Sequence, residues 1–233
     1  MNNLEQKQAL YNYLAQFVTD NRMELIQRIV AQRTRYLTVV LEDIFQPHNA
    51  SAVLRTADCL GIQDVHIIEN KNKYKVNPDV VLGAAQWLNL EKYNTQPENT
   101  LEAINRLKMQ GYRIVATTPH QNDVSLDNFD LQKGKVALFF GTEIVGLSQI
   151  MLDNADEFVQ IPMYGFTESF NISVSAAIIL HHLAWKLRNL PISWQLTDAE
   201  KLDIKIEWLK NSAPRSDVLV RYFYQQQANL QQS

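Results

Sequence analysis

The sequence predicts an α/β fold with a mainly parallel sheet, and three observations predict it. Short β-branched apolar runs alternate with helical stretches from about residue 37 to residue 190. Residues 37–41 (LTVVL) and 136–140 (VALFF) are continuous apolar runs, as buried strands are. The chain has 233 residues, 46% of them apolar, and its formal charge is 22 − 25 = −3. That composition supports one sizeable core and excludes a disordered chain.

The elements follow in order. In residues 4–33, Leu10, Leu14, Phe17 and Val18 recur at helical spacing, then Leu25 with Ile29 and Ile26 with Val30. Asp20-Asn21 divides the two pieces as break and cap. Residues 37–41 form a strand. Residues 50–60 form a helix opened by Asn49 and closed by Gly61. A strand over 65–68, a short helix over 80–87 and a strand over 88–93 come next. A helix over 98–110 ends at Gly111, and strands cover 113–117 and 136–140. A strand over 159–161 is stopped by Pro162. Residues 172–187 are apolar nearly all round, so that helix is buried. Pro191 ends the body. Thr197 and Glu200 form a capping box for a helix over 198–211. The Gln-rich tail 225–233 is expected to fray. The organisation is an N-terminal helical extension (1–36), a central domain (37–190) and a C-terminal helical extension (191–233).

Composition sets further bounds. Apolar stretches such as 176–180 fall far below the roughly 18 residues of a membrane span. The N-terminus has no basic segment leading into an apolar one. The single cysteine, Cys59, excludes an internal disulfide and a cysteine-rich metal site. A reducing cytoplasm is the expected compartment. Slight acidity excludes a uniformly basic coat, but a local basic patch is compatible with RNA binding.

Three stretches carry chemistry. The first is 47–55 (PHNASAVLR), where Pro47 and Asn49 stop the strand and cap the helix. Arg55 leans back toward the helix N-terminus, with Ser51 one turn earlier on the same face. Two readings stay open: a solvated pair with Asp58, or a functional cation. His48 is a candidate proton carrier or a plain turn histidine.

The second stretch is 139–148 (FFGTEIVGLS), a strand running into glycine at the end where parallel sheets bind ligands. The Gly141-to-Gly146 spacing imitates a phosphate loop. Leu147 stands where lysine is required, which excludes nucleoside-triphosphate binding. No dinucleotide glycine fingerprint occurs. Glu143 is a helix-start carboxylate or a functional one. The third stretch is 161–175 (IPMYGFTESFNISVS). Asn171 is placed to cap the apolar helix. Ser173, Ser175, Ala176 and Ala177 are small, suited to a tight core or to a subunit interface.

Together these stretches resemble the SpoU (TrmH-type) RNA ribose 2′-O-methyltransferases. The N-x-x-A-x-x-R motif of that family is matched by Asn49, Ala52 and Arg55. F-G-x-E-x-x-G-L-S is matched without a gap from Phe140 to Ser148. I-P-M-x-G-x-x-x-S-L-N-V-S-V is matched with Phe170 and Ile172 in place of Leu and Val. Order and separation agree, and the resemblance covers about residues 22–190. The Arg22-to-Arg55 segment and the pattern from Gly83 to Trp87 look most like the tRNA guanosine-18 branch.

The resemblance implies a SPOUT fold with a C-terminal trefoil knot, a homodimer, and S-adenosylmethionine as cofactor. It implies that Thr117, Gly141, Ile161, Met163, Ser169 and Phe170 line the cofactor pocket. It implies Arg55 as the group that activates the 2′-hydroxyl, with Asn49, Glu143, Ser169 and Asn171 positioning Arg55 and the ribose. The reaction aligns two reactants and removes one proton, and calls for no metal. RNA contact needs positive charge. The candidates are Arg22, Arg28, Arg33 and Arg35, the turn with Lys71, Lys73 and Lys75 around Tyr74, and Lys186 and Arg188. Lys210, Arg215 and Arg221 are diluted by nearby acids. The alternatives are a ribosomal RNA methyltransferase and a non-catalytic RNA-binding protein of this fold.

Overall fold

A computed structural model describes residues 3–74, 77–81, 83–118, 124–142 and 145–232. Two helices come first, α1 (Asn3–Ala15) and α2 (Asp20–Val30). Then follow β1 (Leu37–Glu42), α3 (Pro47–Cys59), β2 (Asp64–Ile68), α4 (Pro78–Val81) and β3 (Asn89–Tyr93). The chain continues through α5 (Thr100–Met109), β4 (Arg113–Thr117), β5 (Val124–Ser125) and β6 (Val136–Phe140). It ends with α6 (Gln149–Asn154), β7 (Glu157–Gln160), α7 (Ile172–Arg188), α8 (Asp198–Ser212) and α9 (Ser216–Gln232).

Met1–Arg33 and Gln195–Ser233 build one unit, and Thr34–Trp194 builds the other. The two helical extensions expected as separate segments therefore form one helical unit. Its core holds Leu10, Leu14, Ile26 and Val30 from the N-terminal helices, with Leu202, Ile206, Leu209 and Phe223 from the C-terminal ones. Tyr13 packs on Phe223 with ring centroids 5.4 Å apart. The capping box of Thr197 and Glu200 forms at the start of α8.

Three local expectations change. Thr19, not Asp20-Asn21, caps α2: its hydroxyl accepts the Arg22 N–H at 3.3 Å. The tail continues as α9 rather than fraying, because buried Phe223 anchors it and Gln and Ala then extend a helix readily. α3 begins at Pro47 rather than after Asn49, since Pro presets φ and has no N–H to leave unpaired at a first helical position. The Asn49 side chain is thereby released from capping. β5 and α6 are too short for periodicity to reveal.

The central unit is an all-parallel seven-stranded sheet in the order β3-β2-β1-β6-β4-β7-β5. Alternate residues face opposite layers. Val39, Leu41, Leu138 and Phe140 join α3 and α7 in one buried cluster. Val40, Ala137, Phe139, Ile114 and Ala116 join α5 and α6 in the other. Registry aligns the strand ends: Leu41 pairs with Phe140, Ala116 with Phe139, and Thr117 with Val159. The residues after β1, β6, β4 and β7 thus leave from one edge. β1 and β6 are neighbours, and from them the chain runs outward in opposite directions, the kind of switch point at which open parallel sheets bind ligands.

Candidate active site

The first and third motif stretches meet at this edge. Asn49 is buried in the first turn of α3 and donates through Nδ2 to Gln46 Oε1 at 3.1 Å. Its Oδ1 accepts from Asn171 Nδ2 at 3.3 Å. The other end of Asn171 caps α7, where Oδ1 accepts the Ser173 N–H at 2.8 Å and the Ser173 hydroxyl at 2.6 Å. α3 and α7 pack on the same face of the sheet.

Arg55 is exposed on α3. Among the described residues, no hydrogen bond or ion pair holds its guanidinium, and the surface pair with Asp58 is not formed. Ser51, one turn back, is buried and accepts the Asn77 N–H at 2.8 Å, so the opening of α4 is tied to α3. His48 and Ser169 are exposed. Glu143 lies outside the described residues.

The second stretch closes on itself. Thr142 and Gly146 exchange backbone hydrogen bonds at 3.0 Å in both directions. A Cβ on Gly141 would lie 2.2 Å from the Gly146 carbonyl carbon, so only glycine permits this close approach. Ser148 ends the loop and caps α6. Gly141, Thr117 and Ile161 stand at the ends of the neighbouring strands β6, β4 and β7. The Thr117 hydroxyl donates its proton to Phe139 O at 2.8 Å, so toward a ligand it is left as an acceptor, beside the backbone and methyl group. Ile161 and Met163 are half-buried and Phe170 is 43% exposed. Strand-end backbone groups and apolar walls suit an adenosine-type ligand, and the donor set fits S-adenosylmethionine.

The candidate cations divide. Lys71 and Lys73 are exposed in a turn built on Asp43, whose Oδ1 accepts the N–H groups of Asn70, Lys71 and Asn72 at 2.7, 2.8 and 3.2 Å. Lys75 lies outside the described residues. Arg28 is exposed and Arg22 half-buried. Four expected contacts are corrected. Arg33 is 2% exposed with its guanidinium 5.1 Å over the Trp208 ring. Arg35 is half-buried and pairs with Asp64 at 2.9 Å. Lys186 donates to Asp127 O and Phe129 O at 2.9 and 2.8 Å. Arg188 donates to Ala184 O and Leu60 O, both at 2.9 Å, and burial pushes its pKa down. These side chains are engaged by the chain's own acceptors and by a ring face.

Tyr74 is also corrected as a base-stacking ring. It is partly buried against the core under Lys92 at 5.2 Å, and burial pushes its phenol up to about 12. Sequence reasoning missed Glu42, a buried carboxylate at the end of β1. The only signal was an acid closing an apolar strand. It also missed Asp43, which takes the left-handed backbone (φ 54°) from which it reaches the 70–72 turn.

Residues 36–181 match the SpoU rRNA Methylase family. A tRNA (guanosine(18)-2′-O)-methyltransferase of Borreliella burgdorferi is 48% identical over 197 residues, 84% of this chain and 88% of that one. The crystal structure of the A. aeolicus TrmH/SpoU tRNA modifying enzyme superposes with a TM-score of 0.73 at 26% identity, over 84% of this chain and 98% of that one. The fold is shared with the SpoU methyltransferase AviRb of Streptomyces viridochromogenes, solved in complex with AdoMet (TM-score 0.58, 23% identity, 69% of this chain and 64% of that one).

Proposed function

The chain belongs to the SpoU rRNA Methylase family, and from that premise we propose that it methylates the ribose 2′-hydroxyl of guanosine 18 in tRNA, using S-adenosylmethionine. The observation that carries the reading is the Asn49–Asn171 contact. It joins the first and third motif stretches where the strands end, in the helix that carries Arg55, whose guanidinium no described residue engages.

S-adenosylmethionine, when bound, supplies an activated methyl group. Backbone groups at Thr117, Gly141, Ile161 and Met163, with Ser169 and Phe170, hold it at the strand ends. Asn49, Glu143, Ser169 and Asn171 position Arg55 and the ribose. A guanidinium is a poor general base, so Arg55 acts by stabilising the developing 2′-alkoxide while the 2′-proton passes to water. Arg22, Arg28, Lys71, Lys73 and Lys75 attract the tRNA backbone.

The trefoil knot, the homodimer and a cytoplasmic location belong to the same proposal. No helix among the described residues is long and apolar enough to cross a membrane. The outer face of α7 supports the dimer: Val174 and Trp185 are exposed, and Ile178 and His181 lie between them at helical spacing. The experiment is to incubate the protein with methyl-labelled cofactor and separated tRNA and rRNA, then map the modified ribose. Label at guanosine 18 is expected. Label confined to rRNA, or none, rejects the reading. Sedimentation at micromolar concentration tests the dimer, and a monomer alone rejects that part.

A further inference from the structure

Glu42 is 2% exposed, and its carboxylate accepts three hydrogen bonds. Oε1 accepts from the Thr100 hydroxyl at 2.6 Å and the Ser148 hydroxyl at 2.7 Å, and Oε2 accepts the Ser148 N–H at 2.8 Å. Among the described residues no ion pair relieves its charge. A buried carboxylate without a cation is costly, and such donors are what make it tolerable. An apolar residue would have sealed the end of β1 more cheaply, so the position is explained by what the carboxylate connects.

On one side it holds Ser148, the cap of α6 and the end of the loop that leaves β6 at Gly141. On the other it holds Thr100, the first residue of α5. The Thr100 hydroxyl accepts in turn from Asn70 Nδ2 at 3.0 Å. The Asn70 N–H shares the Asp43 carboxylate with the Lys71 and Asn72 N–H groups. The chain Ser148–Glu42–Thr100–Asn70 is continuous. It runs beneath the sheet edge from the glycine loop to the turn that displays Lys71 and Lys73.

We propose that Glu42 is a positioning residue that couples this basic turn to the glycine loop, so that RNA held at the turn and cofactor held at the loop tighten each other. The inference rests on the function proposed above. It adds a link between two binding surfaces, neither of which Glu42 touches as a ligand would.

Calorimetry with S-adenosylhomocysteine, with and without tRNA, tests it on the full chain. In the unaltered protein tRNA should tighten the nucleoside by about fivefold or more. Thr100→Val removes the relaying hydroxyl and leaves Ser148 and Glu42 joined. It should keep the affinity for S-adenosylhomocysteine alone within about twofold and cut the tRNA effect below about twofold. Thr100→Ser should restore the coupling. If Thr100→Val does not fold, Asn70→Ala breaks the next link and should give the same loss. Coupling that survives in the folded variant, or is absent from the unaltered protein, overturns the inference. Both ligands binding independently would leave the proposed function standing. No binding of S-adenosylhomocysteine at all would reject that function, and the coupling with it.

Discussion

Asn171 Nδ2 donates to Asn49 Oδ1 across 3.3 Å while its own Oδ1 caps α7 through the Ser173 N–H at 2.8 Å. One amide thus ends a loop, starts a helix and fixes that helix against the first turn of α3. The two roles can be separated, because each uses a different atom. Asn171→Asp keeps the capping oxygen and replaces the bridging NH2 with an acceptor facing Asn49 Oδ1. Melting should stay close to the unaltered protein, and turnover should fall by about tenfold or more, as for a lost positioning contact. Asn171→Ala should also lose about 1 kcal/mol of stability with the cap. Normal turnover of a folded Asn171→Asp variant would reduce Asn171 to a cap.

Arg55 is exposed, so Arg55→Ala should leave stability within about 0.5 kcal/mol. If it stabilises the alkoxide, single-turnover methylation at saturating tRNA should fall about 10²–10³-fold with cofactor affinity nearly unchanged. Arg55→Lys should not rescue, because an ammonium lacks the planar fork that can hold a phosphate and a hydroxyl together. An unchanged rate in Arg55→Ala would remove it from the chemistry.

Gly141→Ala tests the glycine loop. The added carbon would sit 2.2 Å from the Gly146 carbonyl carbon and 2.4 Å from the Leu147 nitrogen, so the loop must move. Affinity for S-adenosylhomocysteine should drop by about tenfold, roughly 1.4 kcal/mol. Tight binding by this variant would place the cofactor elsewhere.

Arg28 and Arg33 should behave oppositely. Arg28→Ala, on the surface, should lower the salt dependence of tRNA binding by about one unit of slope without changing the melting temperature. Arg33→Ala empties a buried position over Trp208 and should destabilise the helical unit by about 1–3 kcal/mol. A large salt-slope change in a fully stable Arg33→Ala protein would restore it as a phosphate contact.

His66 gives a pH signature. It is buried with Nδ1 3.1 Å from Tyr93 Oη and 3.6 Å from Glu91. Burial pushes its pKa down to about 4, Asp64 pulls the other way and Arg106 adds to the lowering. The folded imidazole is therefore neutral where the unfolded one, near 6.5, takes up a proton. Its contribution is fully present above pH ~6.5 and is lost as the pH falls toward ~4, by about 3 kcal/mol at most. Denaturation at pH 7 and pH 5 should differ accordingly, and His66→Phe should flatten that difference. An unaltered slope in the variant would assign the acid sensitivity to other groups.

The sequence by itself determined the alternation of strands and helices, the double-sided burial of 37–41 and 136–140, and the three motif stretches. Each is a local property: a periodicity, a capping pair, a spacing of glycines. It also placed Asn171 as a cap, because capping needs only the next two residues. Tertiary structure decided what those residues do beyond their own helix. Asn49 reads as a cap, yet Pro47 starts the helix earlier and releases Asn49 to meet Asn171, 122 positions away. Arg33, Arg35, Lys186 and Arg188 read as a basic surface. Packing engages them with Trp208, Asp64 and backbone carbonyls, where each cation meets an acceptor or a ring face. Glu42 and Asp43 carried almost no signal, because their donors arrive from residues 70–72, 100 and 148. Only the sheet order, which lays β1 beside both β2 and β6, brings those donors to one edge.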